Sequence, residues 1–247
     1  MIDGSDPAVS ARRAQLDANL SGVRDRIAAA CVAAGRDPGE VTLIAVTKTY
    51  PAGDVALLAD LGVTDVGENR DQEAAAKAAE LAAAGLDLRW HFVGRLQRNK
   101  CRSVVGYADV VHSVDSARLA VALAEAADRR GRTVQALVQV SLDGAAGRGG
   151  ALAGAADPEH GLAAVTAAVA GAGSLRLAGL MAVAPPDWPP DRAFARLAEI
   201  AAAVRAEHPA ATVLSAGMSG DLEAAVRHGA THVRIGSALL GMRPALR

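Results

Sequence analysis

The chain carries three lysines against twenty-three arginines, and one of the three, Lys48, ends the apolar run 41–47. A guanidinium stays protonated and cannot condense with an aldehyde. A lysine amine can, once partial desolvation lowers its pKa. Lys48 is therefore the first candidate for a Schiff-base lysine, set against the alternative of a strand-end lysine that snorkels to solvent. Two further sets of residues suggest a phosphate site. Met218-Ser219-Gly220 leads into a helical pattern over 222–228 with Asp221 in its first turn, and Gly236-Ser237 opens a short terminal helical turn. Two such starts would aim backbone N–H groups and two hydroxyls at one point. Ordinary capping by serine explains either one alone. An amine plus a phosphate site leaves two chemistries open: a Schiff-base aldolase acting on a sugar phosphate, or pyridoxal 5'-phosphate (PLP) held as an internal aldimine. Arg234 bears on the choice. It lies in the otherwise apolar segment 233–235, so its side chain is expected in a barrel mouth. An arginine set against a pyridine nitrogen keeps that nitrogen unprotonated, and the ring becomes a weak electron sink. The alternative for Arg234 is a structural ion pair with a neighbouring loop.

These residues need a frame. Apolar, β-branched runs recur at 41–47, 63–67, 89–93, 109–114, 134–140, 175–183, 211–215 and 231–235. Helical spacings fall between them, as in Leu119, Ala120, Leu123 and Ala127. An extra helix over roughly 7–35 precedes the first strand and ends near Gly35. Eight strand-helix units with nearly continuous apolar strands predict an α/β fold: a single (β/α)8 TIM-type barrel with an extra N-terminal helix, covering 1–247 as one domain. A doubly wound open sheet is the alternative. In the barrel, the carboxyl ends of the strands present Lys48, Glu68-Asn69, Ser215 with Met218-Ser219, and Arg234 with Gly236-Ser237, with His91 inside the third strand. The glycine-dense stretch 143–150 has no phosphate-loop form and is expected to be a mobile loop on the active face.

Composition narrows the function. Net charge is −1 and aromatics are 2%, so no nucleic-acid or membrane partner is expected and the core must be aliphatic. Cys31 and Cys101 form no metal or disulfide pattern, and His228 and His232 straddle a helix end at Gly229, so no metal site is expected. The longest small-apolar stretch, 162–173, is too short for a membrane span, and the first residues lack a signal-peptide core. The expected location is the cytoplasm.

Seven segments then carry a family resemblance. They are Leu43-Ile44-Ala45-Val46-Thr47-Lys48-Thr49; Gly67-Glu68-Asn69 with Gln72-Glu73; Trp90-His91-Phe92-Val93-Gly94 with Leu96-Gln97 and Asn99-Lys100; Val111-His112-Ser113-Val114-Asp115; Gly179-Leu180-Met181; Gly217-Met218-Ser219 with Asp221-Leu222; and Val233-Arg234-Ile235-Gly236-Ser237. In this order they resemble the PLP homeostasis proteins, whose fold is like the amino-terminal barrel of alanine racemase. The resemblance implies PLP bound covalently to Lys48. It implies phosphate contacts from Ser219, Gly236 and Ser237 beside Met218, Arg234 near the pyridine nitrogen, Asn69 near the ring, and Lys100 near the cofactor face. Arg95 stands where many relatives have His. The loop 141–150 lacks the usual Asn and Lys and offers Arg148 instead, while Ala216 replaces a frequent Met and Ser237 a frequent Thr.

Racemisation needs an acid/base group on each face of the substrate carbon. Alanine racemases take the second from a tyrosine of an additional β domain, and this sequence ends about ten residues after its last strand. Its tyrosines are Tyr50, which could approach the site, and Tyr107, which precedes a strand and reads as packing. The expectation is a monomeric, non-catalytic PLP carrier that buffers the cofactor and hands it to apo PLP-dependent enzymes. A racemase-like enzyme and the aldolase remain as alternatives. Of the other residues, Trp188 reads as a loop anchor and Cys101 as a small buried residue. The face with Arg12, Arg13, Arg24 and Arg26 reads as the solvated side of a helix that closes the barrel bottom.

Overall fold

Each of the eight apolar runs becomes a strand, because a strand covered on both faces must be apolar along its length. The structure, a computed structural model, describes residues 6–145 and 149–241. The strands are β1 (Thr42–Val46), β2 (Asp65–Glu68), β3 (Arg89–Phe92), β4 (Val110–Val114), β5 (Val134–Ser141), β6 (Ala151–Leu152), β7 (Leu175–Met181), β8 (Val213–Ser215) and β9 (His232–Ile235). The two-residue β6, which the sequence reading omitted, pairs with the end of β5 and bridges from Leu152 to Gly161. The other eight pair in parallel in the order β4-β3-β2-β1-β9-β8-β7-β5, and the β4–β5 pairing closes the barrel. Between and after them lie α2 (Ala52–Asp60), α3 (Asp71–Ala83), α4 (Cys101–Val104), α5 (Ala117–Arg130), α6 (Leu162–Ala170), α7 (Pro190–Glu207), α8 (Leu222–Arg227) and α9 (Ser237–Leu240).

The extra helix α1 (Pro7–Ala33) starts where the Asp6 carboxylate accepts from Ala8 N–H at 2.8 Å with Pro7 in the first turn, and it stops before Gly35 at φ +66°. It does not close the barrel bottom. Leu16, Leu20, Val23, Ile27 and Cys31 repeat at helical spacing and are buried with Val55, Leu58, Leu222, Val226, Leu239 and Leu240, on the outer wall against α2, α8 and α9. The reason is local. After β9, α9 runs for only four residues, too short to cover the wall beside β9 and β1, and α1 covers it instead. The arginine face is correspondingly only partly solvated. Arg12 pairs with Asp54 at 2.6 Å and donates to Leu240 O at 3.1 Å, Arg24 donates to Leu61 O at 3.3 Å, and Arg26 reaches Glu223 at 2.8 Å and Ser219 O at 3.0 Å. Arg13, 3.5 Å from the exposed Asp60, and Arg24, itself exposed, fit the solvated reading.

Most aliphatic packing lies between sheet and helices. Inside the barrel the apolar cluster is small, formed by Val110, Leu137, Ala178 and Met181. The rest of that space is polar, and this shapes the site. Among the described residues, no helix is long and apolar enough to cross a membrane.

Candidate cofactor site

Lys48 is half-buried in the turn that follows β1, and that turn is held from three directions. Thr47 Oγ1 donates to Glu68 Oε1 at 2.8 Å, anchoring the end of β1 to the end of β2. Lys77, on α3, places its three ammonium protons on Glu68 Oε1 (2.7 Å), Thr47 O (2.9 Å) and Glu73 Oε1 (2.9 Å). Glu73 in turn accepts from Thr49 N–H at 2.6 Å. Thr49 sits at φ 71°, left-handed for a β-branched residue, and these bonds hold that conformation. Burial pushes the Glu68 carboxyl up against the lowering effect of Lys77. For Glu73, burial also works against the carboxylate, but Lys77 and the Thr49 amide outweigh it and the group lies below its ordinary value. The sequence reading named Glu68 and Glu73 but missed Lys77. The scarcity that singled out Lys48 applied equally to Lys77, and that signal was available.

The opposite side of the site is built by β8 and β9, which neighbour β1 in the barrel. Register sets Arg234 beside Ile44, and a Cβ on Gly236 would lie 3.6 Å from that of Val46. Gly236 and Ser237 therefore lie across from the end of β1, just before Lys48. Gly217, at φ +92°, turns the chain out of β8. A side chain there would come within 2.7 Å of the Ala225 Cβ, and its carbonyl accepts from Arg234 N–H at 2.9 Å. The turn delivers Ser219 to the start of α9, where its hydroxyl oxygen accepts from Ala238 N–H at 3.3 Å. The two small-residue helix starts thus meet. Met218 is 40% exposed, with its amide donating to Asp221 Oδ1 at 2.6 Å. Asn69 follows β2, against Gly94, where a Cβ would strike Asn69 O at 2.3 Å. The Asn69 Oδ1 is buried with no hydrogen-bond partner.

Arg234 is 6% exposed and points into the barrel. It donates from Nη1 to Ser215 Oγ at 2.7 Å and from Nη2 to Ala182 O at 3.0 Å. Among the described residues its alternative, an ion pair with a loop, does not form. Burial pushes the guanidinium down to about 10 against the pull of Asp221, so it stays charged at neutral pH. Behind it, His112 bridges Ser215 and His91, and His91 reaches Asp65. His91 is thus a core histidine, the second of the two readings its position allowed. Asp65 and His112 had no role in the sequence reading.

Tyr50 was expected to be able to approach the site; its hydroxyl instead donates to Gly241 O at 2.8 Å and its ring lies 5.8 Å from the Arg12 guanidinium. Tyr107 packs edge-on against Trp90, as expected. Lys100 lies 3.7 Å from Asp71 at the start of α3. Trp188 is covered by Arg192 at 4.0 Å. Among the described residues no His, Cys, Asp and Glu cluster could hold a metal. Arg148 lies outside the described residues.

The donor set fits PLP. An amine on a rigid turn, a cationic donor inside the barrel, a buried amide oxygen lacking a partner, and two hydroxyls at meeting helix starts are what an aldehyde, a ring nitrogen and a phosphate call for. The chain is similar to known proteins. Residues 15–244 match the family described as alanine racemase, N-terminal domain. The pyridoxal phosphate homeostasis protein of Mycobacterium tuberculosis is 49% identical, with 94% of each chain covered. The structure of PipY from Synechococcus elongatus with PLP bound superposes with a TM-score of 0.76 at 35% identity, covering 92% of this chain and 100% of that one. An alanine racemase from Streptomyces coelicolor shares the fold alone, with a TM-score of 0.70 at 22% identity over 94% of this chain and 59% of that one.

Proposed function

Because the chain belongs to the alanine racemase N-terminal domain family and, within it, to the pyridoxal phosphate homeostasis proteins, we propose that it binds PLP through the Lys48 amine and takes part in intracellular PLP homeostasis by buffering or delivering the cofactor. When bound, PLP supplies an aldehyde that a lysine amine captures reversibly and a ring that can withdraw electrons. The protein's residues divide the rest. Lys48 provides the covalent anchor, and Ser219, Gly236 and Ser237, with Met218 alongside, receive the phosphate. Asn69 offers its unpartnered Oδ1 to the ring side. Arg234 faces the pyridine nitrogen as a donor that keeps its proton.

One observation carries this reading: the Lys77–Glu68–Glu73 bracket that fixes the Lys48 turn in line with Arg234 and Gly236 on the adjoining strand. A carrier reading is supported further by Tyr50, whose hydroxyl is committed to Gly241 O and does not supply a second acid/base group. Since an arginine-paired ring is a weak electron sink, the bound cofactor is held more than activated. The natural recipients are apo PLP-dependent enzymes. We assign the whole of 1–247 to this one unit, acting as a monomer in the cytoplasm, in keeping with two unpaired, buried cysteines.

The test is the visible spectrum of the purified protein loaded with PLP, followed by borohydride reduction and peptide mass mapping. The expected result is an absorption band lost on reduction and pyridoxyl mass on the Lys48 peptide, both absent in Lys48→Ala. Exchange of an amino-acid α-hydrogen by the loaded protein would shift the reading to a racemase-like enzyme. A colourless protein that traps a sugar phosphate at Lys48 would replace it with an aldolase.

A further inference from the structure

Five buried side chains form one continuous hydrogen-bonded line across the barrel interior. Arg234 Nη1 lies 2.7 Å from Ser215 Oγ, and Ser215 Oγ lies 3.0 Å from His112 Nδ1. His112 Nε2 lies 2.8 Å from His91 Nδ1, and His91 Nε2 lies 2.9 Å from Asp65 Oδ1. None is more than 8% exposed. The two ends of this line differ in kind. A guanidinium can only donate, and an ionised carboxylate can only accept.

Those ends determine every proton between them. The carboxylate requires a proton on His91 Nε2. A neutral His91 then has a bare Nδ1, which must accept from His112 Nε2–H. That leaves His112 Nδ1 bare, so it accepts the Ser215 hydroxyl proton, and Ser215 Oγ is free to accept from Arg234. No other arrangement satisfies all four contacts with neutral rings. Neutrality follows from the surroundings. His91 is enclosed with Asp65, Arg89, Asp109, His112 and His232 around it, and burial pushes it below its ordinary value against the pull of Asp65. His112 is pushed well down by burial, with His91, His232, Arg89 and Arg234 adding to the effect. At the far end burial opposes the Asp65 carboxylate, but the bonds from His91 and Thr64 outweigh it.

We propose that Asp65, His91, His112 and Ser215 are positioning residues for Arg234: a one-way chain of hydrogen bonds, every proton pointing from the guanidinium toward Asp65, that holds Arg234 in place while keeping its charge for the ligand. A carboxylate in direct contact would pin the guanidinium equally well but would quench it. Here the satisfying acceptor is a neutral hydroxyl, and the countercharge stands three side chains further back. The bonds to Ser215 and Ala182 use two of the five guanidinium N–H groups. The role assigned to Arg234 rests on the PLP reading; the direction of the chain does not.

The test therefore has two arms. Long-range ¹H–¹⁵N correlation of histidine-labelled protein, without PLP and at neutral pH, reads each ring's tautomer. The expected result is a neutral Nε2–H form for both His91 and His112, with the pattern losing its single form in Asp65→Asn, whose amide can donate as well as accept. A cationic or Nδ1–H ring at either position overturns the proposal, whatever PLP does. The second arm is PLP retention. Ser215→Ala is expected to weaken it about tenfold, the size of one lost charge-assisted hydrogen bond, and Ser215→Thr to restore it. Expected tautomers with unchanged retention in Ser215→Ala and Asp65→Asn would overturn the positioning role. A protein with the expected tautomers that takes up no PLP at all would instead overturn the function proposed above.

Discussion

Two lysines of this chain illustrate how identical side chains acquire opposite uses. Lys77 has three acceptors for three protons, 7% exposure and a carboxyl partner at 2.7 Å, so its charge is spent on holding other groups. Lys48 stands on the turn that those bonds secure. Replacing Lys77 by Met is thus expected to act twice. It strands the Glu68 carboxylate in the interior, which costs about 3–5 kcal/mol, and it loosens the Thr47 and Thr49 backbone contacts that orient Lys48. Thermal unfolding should show a drop of at least several degrees, with PLP retention falling in parallel. Adding Glu68→Leu should return much of the stability but not the retention, because only the buried charge has been removed. A single variant as stable as the parent would show that the pair is not formed. Gly217 makes a second residue-scale case. Its φ of +92° and the 2.7 Å approach to the Ala225 Cβ leave no room for Gly217→Ala without moving the 217–219 turn. That variant should lose PLP retention through displaced Ser219 while Lys48 still reacts with free aldehyde, a difference that borohydride trapping at high and low PLP would resolve.

Among the elements, α1 is the one whose role changes most between sequence and structure, since it serves as a wall helix of the barrel. Leu20→Ala, at a site with 0% exposure, is expected to cost about 2–5 kcal/mol in denaturant unfolding. Val32→Ala, on the same helix at 73% exposure, should stay within about 0.5 kcal/mol. Equal effects at the two positions would contradict the packing described. What could be read in advance, and what could not, follows from the range of the interactions involved. The eight strands were legible because each is buried on both faces, which writes itself into five or so consecutive residues. Lys48, Ser219 and Arg234 were legible as polar interruptions at the ends of those runs. Arg12 and Arg26 of α1 were not, because their partners Asp54, Glu223 and Leu240 lie far along the chain, and a basic helix face reads the same whether wet or paired. Scarcity marked Lys77, but its role was hidden in the same way. On an alanine-rich helix four residues after Glu73, it looks like an exposed i,i+4 pair, while the buried Glu68 that claims it lies on a neighbouring strand. The line from Asp65 to Arg234 joins five strands, and no local pattern encodes which inward residues meet across a closed barrel.

At the scale of the molecule, a barrel lined with His91, His112, His232 and Arg234 ties its stability to pH in a defined direction. All three histidines are pushed down by burial, His232 from 6.5 to about 4. Unfolded, each would take up a proton near its ordinary value, whereas folded they refuse it. The unfolded state therefore binds more protons in this window, and stability must fall as pH drops below about 6.5. A depression of the size given for His232 corresponds to roughly 3 kcal/mol. The carboxylates held below their ordinary values, Asp65 and Glu73, have reference values of 3.8 and 4.5. Their contribution is present above those values and is lost only as pH falls below them, so it leaves the range from 6.5 to 4.5 to the histidines. Glu68 acts in the opposite sense there, since burial raises it, and Glu68→Gln removes that opposition. Urea unfolding at about pH 7.5, 6 and 5 should give a midpoint that falls steadily while the m-value holds. His232→Gln should flatten the slope, since its ring lies near the buried pair without joining the line between Asp65 and Arg234. A midpoint that does not move between pH 7.5 and 5 would mean that the rings are already charged in the folded barrel. The ordered direction of hydrogen bonds behind Arg234 would then be lost with it, because a cationic His91 or His112 has no bare nitrogen with which to accept.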